Sequence, residues 1–327
     1  MDEASSRFVD QLVLGRLLGE KLSKVRHRPQ QAMGELLVDA YGELEQAPAP
    51  PEVAVDPQTE GFSIRSPLNS PYQENAWYRV IAYPTKNARG AILLVHGLYE
   101  ENRDIYAFLV SELHRFGYSV YLTTLPYHYE RKPRSSLFSG EYFFSADLGR
   151  TRSALVQAGV EVRQCYLWLQ NLTGLTTFVV GFSMGATVTL SVAAKTNILR
   201  GLCLINPAAG LSEVIWTSPL CQTIRRDLFE SGHDEAEVLR VLSSFDPCLL
   251  RPIATPQARI QLIYADYDLI TLPRQYAALA QSWQLRNVLT CKAGHLNTLR
   301  VPRLAEDIAK FFRRLEQPQS LLEDTLS

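Results

Sequence analysis

The stretch TTFVVGFSMGATVTLSVAAK, residues 176–195, changes its apolar period midway and sets one serine between two glycines at the change. Phe178, Val179 and Val180 read as the end of a buried strand. Ala186, Leu190, Val192, Ala193 and Ala194 suit the helix that follows. The joint is Gly181-Phe182-Ser183-Met184-Gly185, a G-x-S-x-G spacing. In a nucleophile elbow of this kind, the serine sits in a strained strand-to-helix turn. The flanking glycines are needed because side chains there would strike the neighbouring strand or helix. An ordinary turn built from small residues reads the same way in isolation. The strand before and the helix after are the context the nucleophile reading requires.

Outward from this corner, strands and helices alternate. Phe62–Ile64, Trp77–Tyr83, Ala91–Val95, Val120–Leu125, Thr177–Gly181, Leu202–Asn206, Ile260–Ala265 and Val288–Cys291 read as strands. Tyr106–Phe116, Leu148–Leu172, Arg274–Trp283 and Leu304–Leu315 read as helices. The alternation predicts a doubly wound, mostly parallel central sheet with helices on both faces. Reactive residues then belong at the carboxyl ends of strands. The sequence agrees: Ala265 runs into Asp266-Tyr267-Asp268, and Cys291 runs through Lys292 into Ala293-Gly294-His295. The chain order is serine, acid, histidine.

His96-Gly97 after a buried strand, the serine elbow, Asp268 after its strand and Gly294-His295 near the end occur together in this order. With that set, the chain resembles the α/β-hydrolase family over about residues 60–316. The segment LPYHYERKPRSSLFSGEYFFSADLGRTRSAL, residues 125–155, is also similar to the branch that includes domain-18-type hydrolases. Chemistry assigns Ser183 as nucleophile and His295 as the base that takes its proton, because imidazole titrates near the operating pH. The family pattern puts the orienting acid three residues beyond the strand-closing residue, which selects Asp268, with Asp266 as the alternative. One departure is Ala265, where many members carry glycine. Oxyanion donors are expected at the N–H groups of Met184, just after the nucleophile, and of Leu98, with Tyr99 next. His96 is expected to brace that loop. Family members commonly insert a lid after the strand that here ends at Asn206. Residues 207–256 are therefore expected to form a small helical cap insertion.

Candidates for touching substrate are Tyr99, His128 and Trp216. His128 lies in Pro126–Pro133, which reads equally as a pocket wall or as a solvated loop. Phe143, Phe144 and Trp216 fit an apolar acyl pocket or plain core.

The amino-terminal part through about Glu45 reads as helical, with Phe8, Leu12, Leu14, Leu17, Leu18, Leu22 and Val25 at three- and four-residue steps between basic residues. Such a stripe fits packing on its own domain, or on a second copy as a homodimer, better than lying on a membrane surface. A Pro-rich linker from Ala47 to Pro57 closes it. The expected organisation is an extension and linker over 1–57, a hydrolase domain over 58–316 and a tail over 317–327.

The 327 residues are 46% hydrophobic and 20% charged with a formal charge of -1, which gives no bulk pull toward nucleic acid or anionic lipid. The five cysteines are dispersed, without metal-ligand spacing. Neither a secretory leader nor a transmembrane run is read, so the expectation is a cytoplasmic enzyme. No phosphate-binding loop, dinucleotide fingerprint or H-E-x-x-H helix occurs, and neither cofactor nor metal is expected. The expected activity is a carboxylesterase acting on a small-molecule ester through an acyl-enzyme. A lipase, thioesterase or acyltransferase would use the same triad, and a non-catalytic binding protein on this fold is the other class.

Overall fold

In a computed structural model, which describes residues 2–37, 40–46, 50–56 and 61–316, the run Gly90–Val95 is buried at every position and forms a central strand, β4 in chain order. Around it lie β1 (Val53–Asp56), β2 (Gly61–Arg65), β3 (Trp77–Tyr83), β5 (Tyr118–Thr123), β6 (Thr177–Phe182), β7 (Leu202–Ile205), β8 (Ile260–Ala265) and β9 (Asn287–Cys291). Among the described residues they make one nine-stranded sheet in the order β1-β2-β3-β5-β4-β6-β7-β8-β9. From β5 to β9 every pairing is parallel, while β1, β2 and β3 join antiparallel. Continuous apolar runs such as Ile92-Leu93-Leu94 mark strands covered on both faces.

One face is covered by α2 (Ala107–Arg115) and α9 (Leu304–Glu316), which share a core with Ile92, Leu94, Phe178 and Val180. The other carries α3 (Leu148–Thr173), α4 (Met184–Lys195) and α8 (Pro273–Ser282). The long α3 starts where the Asp147 carboxylate accepts from Arg150 N at 3.2 Å. It stops at Gly174, whose φ of 64° is left-handed. Strand β5 begins and ends two residues before the sequence expectation, because Leu125 N turns away to donate to the His96 ring at 3.0 Å.

The amino-terminal expectation needs correction. Helix α1 spans Glu3–Glu20, and beyond it only short 3₁₀ turns form, at Leu22–Lys24, Met33–Leu36 and Gly42–Leu44. The helix ends at Lys21, whose φ of -124° and ψ of -70° lie outside the helical region, and Arg28-Pro29 disfavours its resuming at residue 28. The apolar stripe packs inward only in part: Leu14, Leu22 and Val25 are buried and Leu17 and Leu18 pack against the last two, whereas Phe8 and Leu12 are each 62% exposed and the polar Ser6 and Asp10 of α1 are buried. Part of the expected linker is β1, an edge strand paired with β2. The other linker residues 47–49 and 57, and the tail 317–327, lie outside the described residues.

Between β7 and β8, α5 (Leu211–Thr217), α6 (Gln222–Glu230) and α7 (Glu235–Phe245) form a helical insertion. It packs on the amino-terminal segment. His27 N donates to Asp227 Oδ2 at 2.9 Å, Ser244 Oγ to Leu36 O at 3.0 Å, and Tyr41 Oη to Phe245 O at 3.0 Å. No helix among the described residues is long and apolar enough to cross a membrane.

The start of α4 sits hard against β4. A Cβ on Gly185 would lie 2.3 Å from both Val95 O and His96 O, and one on Gly181 would lie 2.6 Å from Ala186 Cα. Main-chain atoms cannot yield there. Gly185→Ala is expected to cost roughly 3 kcal/mol or more, or to prevent folding. Gly15→Ala on the exposed side of α1, with nothing within 4 Å of its new Cβ, is expected to add about 0.5–1 kcal/mol. Urea unfolding midpoints of the two variants check this; a Gly185→Ala protein as stable as the parent would refute the close approach.

Candidate active site

The α/β alternation delivers four loops to one end of the sheet, at the carboxyl ends of β4, β6, β8 and β9. The β6 loop is a single residue. Ser183 has φ 51° and ψ -121°, a conformation that L-residues avoid, between the end of β6 and the first turn of α4. Its amide donates to Ile205 O at 2.8 Å and its carbonyl accepts from Thr187 N at 3.1 Å, so both sides hold the turn.

The structure brings Ser183, His295 and Asp268 into one hydrogen-bonded row. Ser183 Oγ lies 2.9 Å from His295 Nε2, and His295 Nδ1 lies 2.6 Å from Asp268 Oδ2. Asp268 Oδ1 accepts from Ile270 N at 2.7 Å and Thr271 N at 2.9 Å, while Oδ2 also accepts from Tyr276 Oη at 2.6 Å. A carboxylate so held acts as a fixed acceptor and fixes the imidazole tautomer with Nδ1 protonated. Asp266 makes no such contact; its amide pairs with Cys291 O at 2.9 Å.

The β4 loop is fixed from two sides. His96 is fully buried; its Nδ1 donates to Gly97 O at 2.7 Å and its Nε2 accepts from Leu125 N. Burial, helped by His128, holds its pKa well below the ordinary value, so the ring is neutral. Glu100 Oε1 takes the Gly97 N–H at 2.9 Å and the Tyr106 hydroxyl at 2.7 Å, and Oε2 takes the Tyr129 hydroxyl at 2.8 Å. Gly97 N is thus occupied, and Leu98 is the next backbone donor along this loop. The Met184 N–H opens α4, where first-turn amides have no partner within the helix.

No protein-family model matches the sequence, and no curated protein does. Solved structures match it well. Acetyl xylan esterase 1 from Thermoanaerobacterium sp. aligns with a TM-score of 0.57 over 91% of this chain and 99% of its own, at 16% identity. An acylaminoacyl peptidase from Pyrococcus horikoshii aligns at 0.55 over 81% of this chain and 41% of its own, at 13% identity. Est1E from Butyrivibrio proteoclasticus aligns at 0.52, covering 74% of this chain and 95% of its own, at 12% identity. The chain has the α/β-hydrolase fold. At these identities the likeness establishes the fold.

Within that fold, the residues read as substrate contacts are placed differently from one another. Tyr99 is buried, has φ 61°, and donates its hydroxyl to Phe144 O at 2.7 Å. His128 is fully buried, its Nδ1 2.8 Å from Pro126 O, and burial pushes its pKa down to about 3. Its loop is therefore mostly interior, with Tyr127, His128 and Arg131 buried and Glu130 exposed. Phe143 and Phe144 are core. Trp216, in α5, packs on Phe229 with ring centroids 5.5 Å apart.

Three residues that matter here were not singled out by the sequence reading. Asn206, with φ 45° at the end of β7, donates to His295 O at 3.0 Å and accepts from Ala265 N at 2.9 Å, tying the loops that carry Asp268 and His295 together. Glu100 is raised to about 7 by burial. Asp10, from α1, reaches the backbone of His295. A buried Asn or Glu beside a strand end gives a sequence signal only once the strand ends are known; Asp10 gave none, because its helix read as an apolar stripe.

Burial works to lower the His295 pKa, but the charge and hydrogen bond of Asp268, with the charges of Asp10 and Glu100 behind them, outweigh it and leave the pKa raised. A raised value means the imidazolium persists to higher pH and the neutral base appears only above it. NMR titration of His295 should give a midpoint above 6.5. A midpoint at or below that value would show that burial wins and that the carboxylates are not where they stand here.

Proposed function

We propose that this protein is a serine hydrolase, a carboxylesterase acting on a small-molecule ester. The observation that carries the reading is the Oγ–Nε2 and Nδ1–Oδ2 row at 2.9 and 2.6 Å, built on a strained serine turn. Ser183 Oγ attacks the ester carbonyl carbon as its proton passes to His295 Nε2. The imidazolium is stabilised by Asp268. The oxyanion is held by the N–H groups of Met184 and Leu98, the first of which also carries the positive end of the α4 dipole. The tetrahedral adduct collapses, the alkoxide leaves with the proton from Nε2, and the acyl group stays on Oγ. Water repeats the sequence: it attacks the acyl carbon, gives a proton to Nε2, and the acid departs as Oγ regains that proton.

A cavity of about 560 Å³ supports an apolar substrate portion; it is lined by Phe182 and Leu296, the chain neighbours of Ser183 and His295, and by Val13, Leu17, Leu98 and Ile105. The insertion acts as a partial cap in this reading, since its Leu220 packs in one cluster with Leu17, Leu18, Leu98 and Tyr99. The neighbours named as esterases agree with this class of bond, and catalysis of this kind uses no cofactor.

Turnover of p-nitrophenyl esters from acetate to decanoate tests it. Ser183→Ala is expected to lower kcat by about 10⁴-fold or more with folding intact, and Asp268→Asn by about 10³–10⁴-fold. The wild type, but not Ser183→Ala, should be labelled by a fluorophosphonate. Hydrolysis surviving in Ser183→Ala, or a wild type that neither turns over nor takes the label, overturns the assignment.

A further inference from the structure

Asp10 belongs to the first helix of the chain, yet its carboxylate is buried against the loop of the last strand. Its Oδ2 accepts from His295 N at 2.8 Å, its Oδ1 from Leu296 N at 3.2 Å, and Oδ2 also from Leu269 N at 3.4 Å. One side chain thus holds the backbone of the histidine, of the residue after it, and of the residue after Asp268. The fit is close: a Cβ on Gly294 would lie 2.8 Å from both Asp10 Oδ2 and Ser6 O. Ser6, one turn earlier, adds Oγ as acceptor for Asn297 Nδ2 at 3.3 Å, and Asn297 Oδ1 takes Gly294 N at 2.6 Å.

This arrangement is costly to build. Asp10 is fully buried, and burial raises its pKa against the opposing pull of the His295 amide and ring. An apolar residue would serve better if α1 only needed to pack, and α1 has apolar residues to spare on its exposed side. We propose that Asp10 is a positioning residue for His295: it sets the imidazole in line with Ser183 and adds negative charge behind the forming imidazolium. The proposal rests on the triad reading given above. It makes α1 part of the active site, and it explains why two polar residues of that helix, Ser6 and Asp10, are buried.

The mechanism distinguishes two effects. Losing the hydrogen bonds lets the His295 loop shift, and a displacement of about 1 Å in a catalytic group costs on the order of 10²-fold. Losing the charge lowers the His295 pKa, because the carboxylates facing that ring are Asp268, Glu100 and Asp10, and one of the three is gone.

The test compares full-length Asp10→Asn and Asp10→Ala with wild type. On p-nitrophenyl butyrate, Asp10→Ala is expected to lower kcat by about 10–100-fold with KM within about twofold. The near-isosteric Asp10→Asn keeps one acceptor oxygen and should recover part of kcat, while its acid limb moves to lower pH. Amide hydrogen exchange at His295, Leu296 and Leu269, with NMR titration of the His295 ring, should respond in the same variants without any turnover. Unchanged kcat and acid limb in variants whose melting temperature alone falls would make Asp10 a structural strut. Unchanged exchange and ring titration would remove the contact itself. If wild type hydrolyses no ester while exchange and titration respond as expected, the esterase reading fails and the placement of His295 by Asp10 stands.

Discussion

The site depends on how closely the first turn of α4 approaches the end of β4. Gly185 leaves no room for a Cβ between α4 and the carbonyls of Val95 and His96. That contact sets the distance between the Ser183 turn and the Gly97–Glu100 loop, on which the proposed joint use of the Met184 and Leu98 N–H groups depends. The loop is then kept in place by neutral His96 on one side and the Glu100 carboxyl on the other. Backbone geometry of this kind costs nothing to reorganise during a reaction, which is what an oxyanion site requires.

Behind that loop the interior is unusually polar. Arg131, 1% exposed, makes a two-pronged pair with Glu161, with both contacts at 2.7 Å, and also donates to Thr124 O at 2.8 Å and Asn75 O at 3.1 Å. Gln157 donates to the same carboxylate at 2.8 Å. A buried ion pair adds little net stability over an apolar pair of the same shape, because desolvation offsets the attraction. Its geometry is restrictive, however. It fixes residues 124–131 against α3 in one register, and through that register it sets His128 beneath His96 and Gly140 against both His128 and Tyr99.

This explains what could be read in advance. The sheet from β2 to β9 and most helices were legible because their signals are local: an apolar run of strand length, a cap, a glycine. The serine turn was legible for the same reason, since its two glycines stand beside it. Asp268 and His295 were reachable through strand ends and chain order, and the structure brings Asp268 rather than Asp266 to the imidazole. The segment 126–133 resisted because its charges look solvated until Glu161, thirty residues away, is known to face Arg131. The amino-terminal helix misled for the opposite reason. Its apolar stripe gives no sign that Ser6 and Asp10 are buried beside Leu14, because the deciding partner of Asp10 lies 285 residues further on.

That last contact follows from where the histidine sits. Among the described residues β9 is the edge of the sheet, paired only with β8, and it is partly exposed along its length. The serine turn has a strand on either side, but the loop after an edge strand has support from one side only. Asn206 holds the His295 carbonyl from the β7 side and Asp268 holds the ring from β8. The open flank needs an element from elsewhere, and a purely apolar face would leave the amides of His295 and Leu296 without acceptors. A helix offering a carboxylate satisfies both amides and matches the positive charge that His295 acquires when protonated. The first helix of the chain therefore carries a buried acid where packing alone would have chosen leucine.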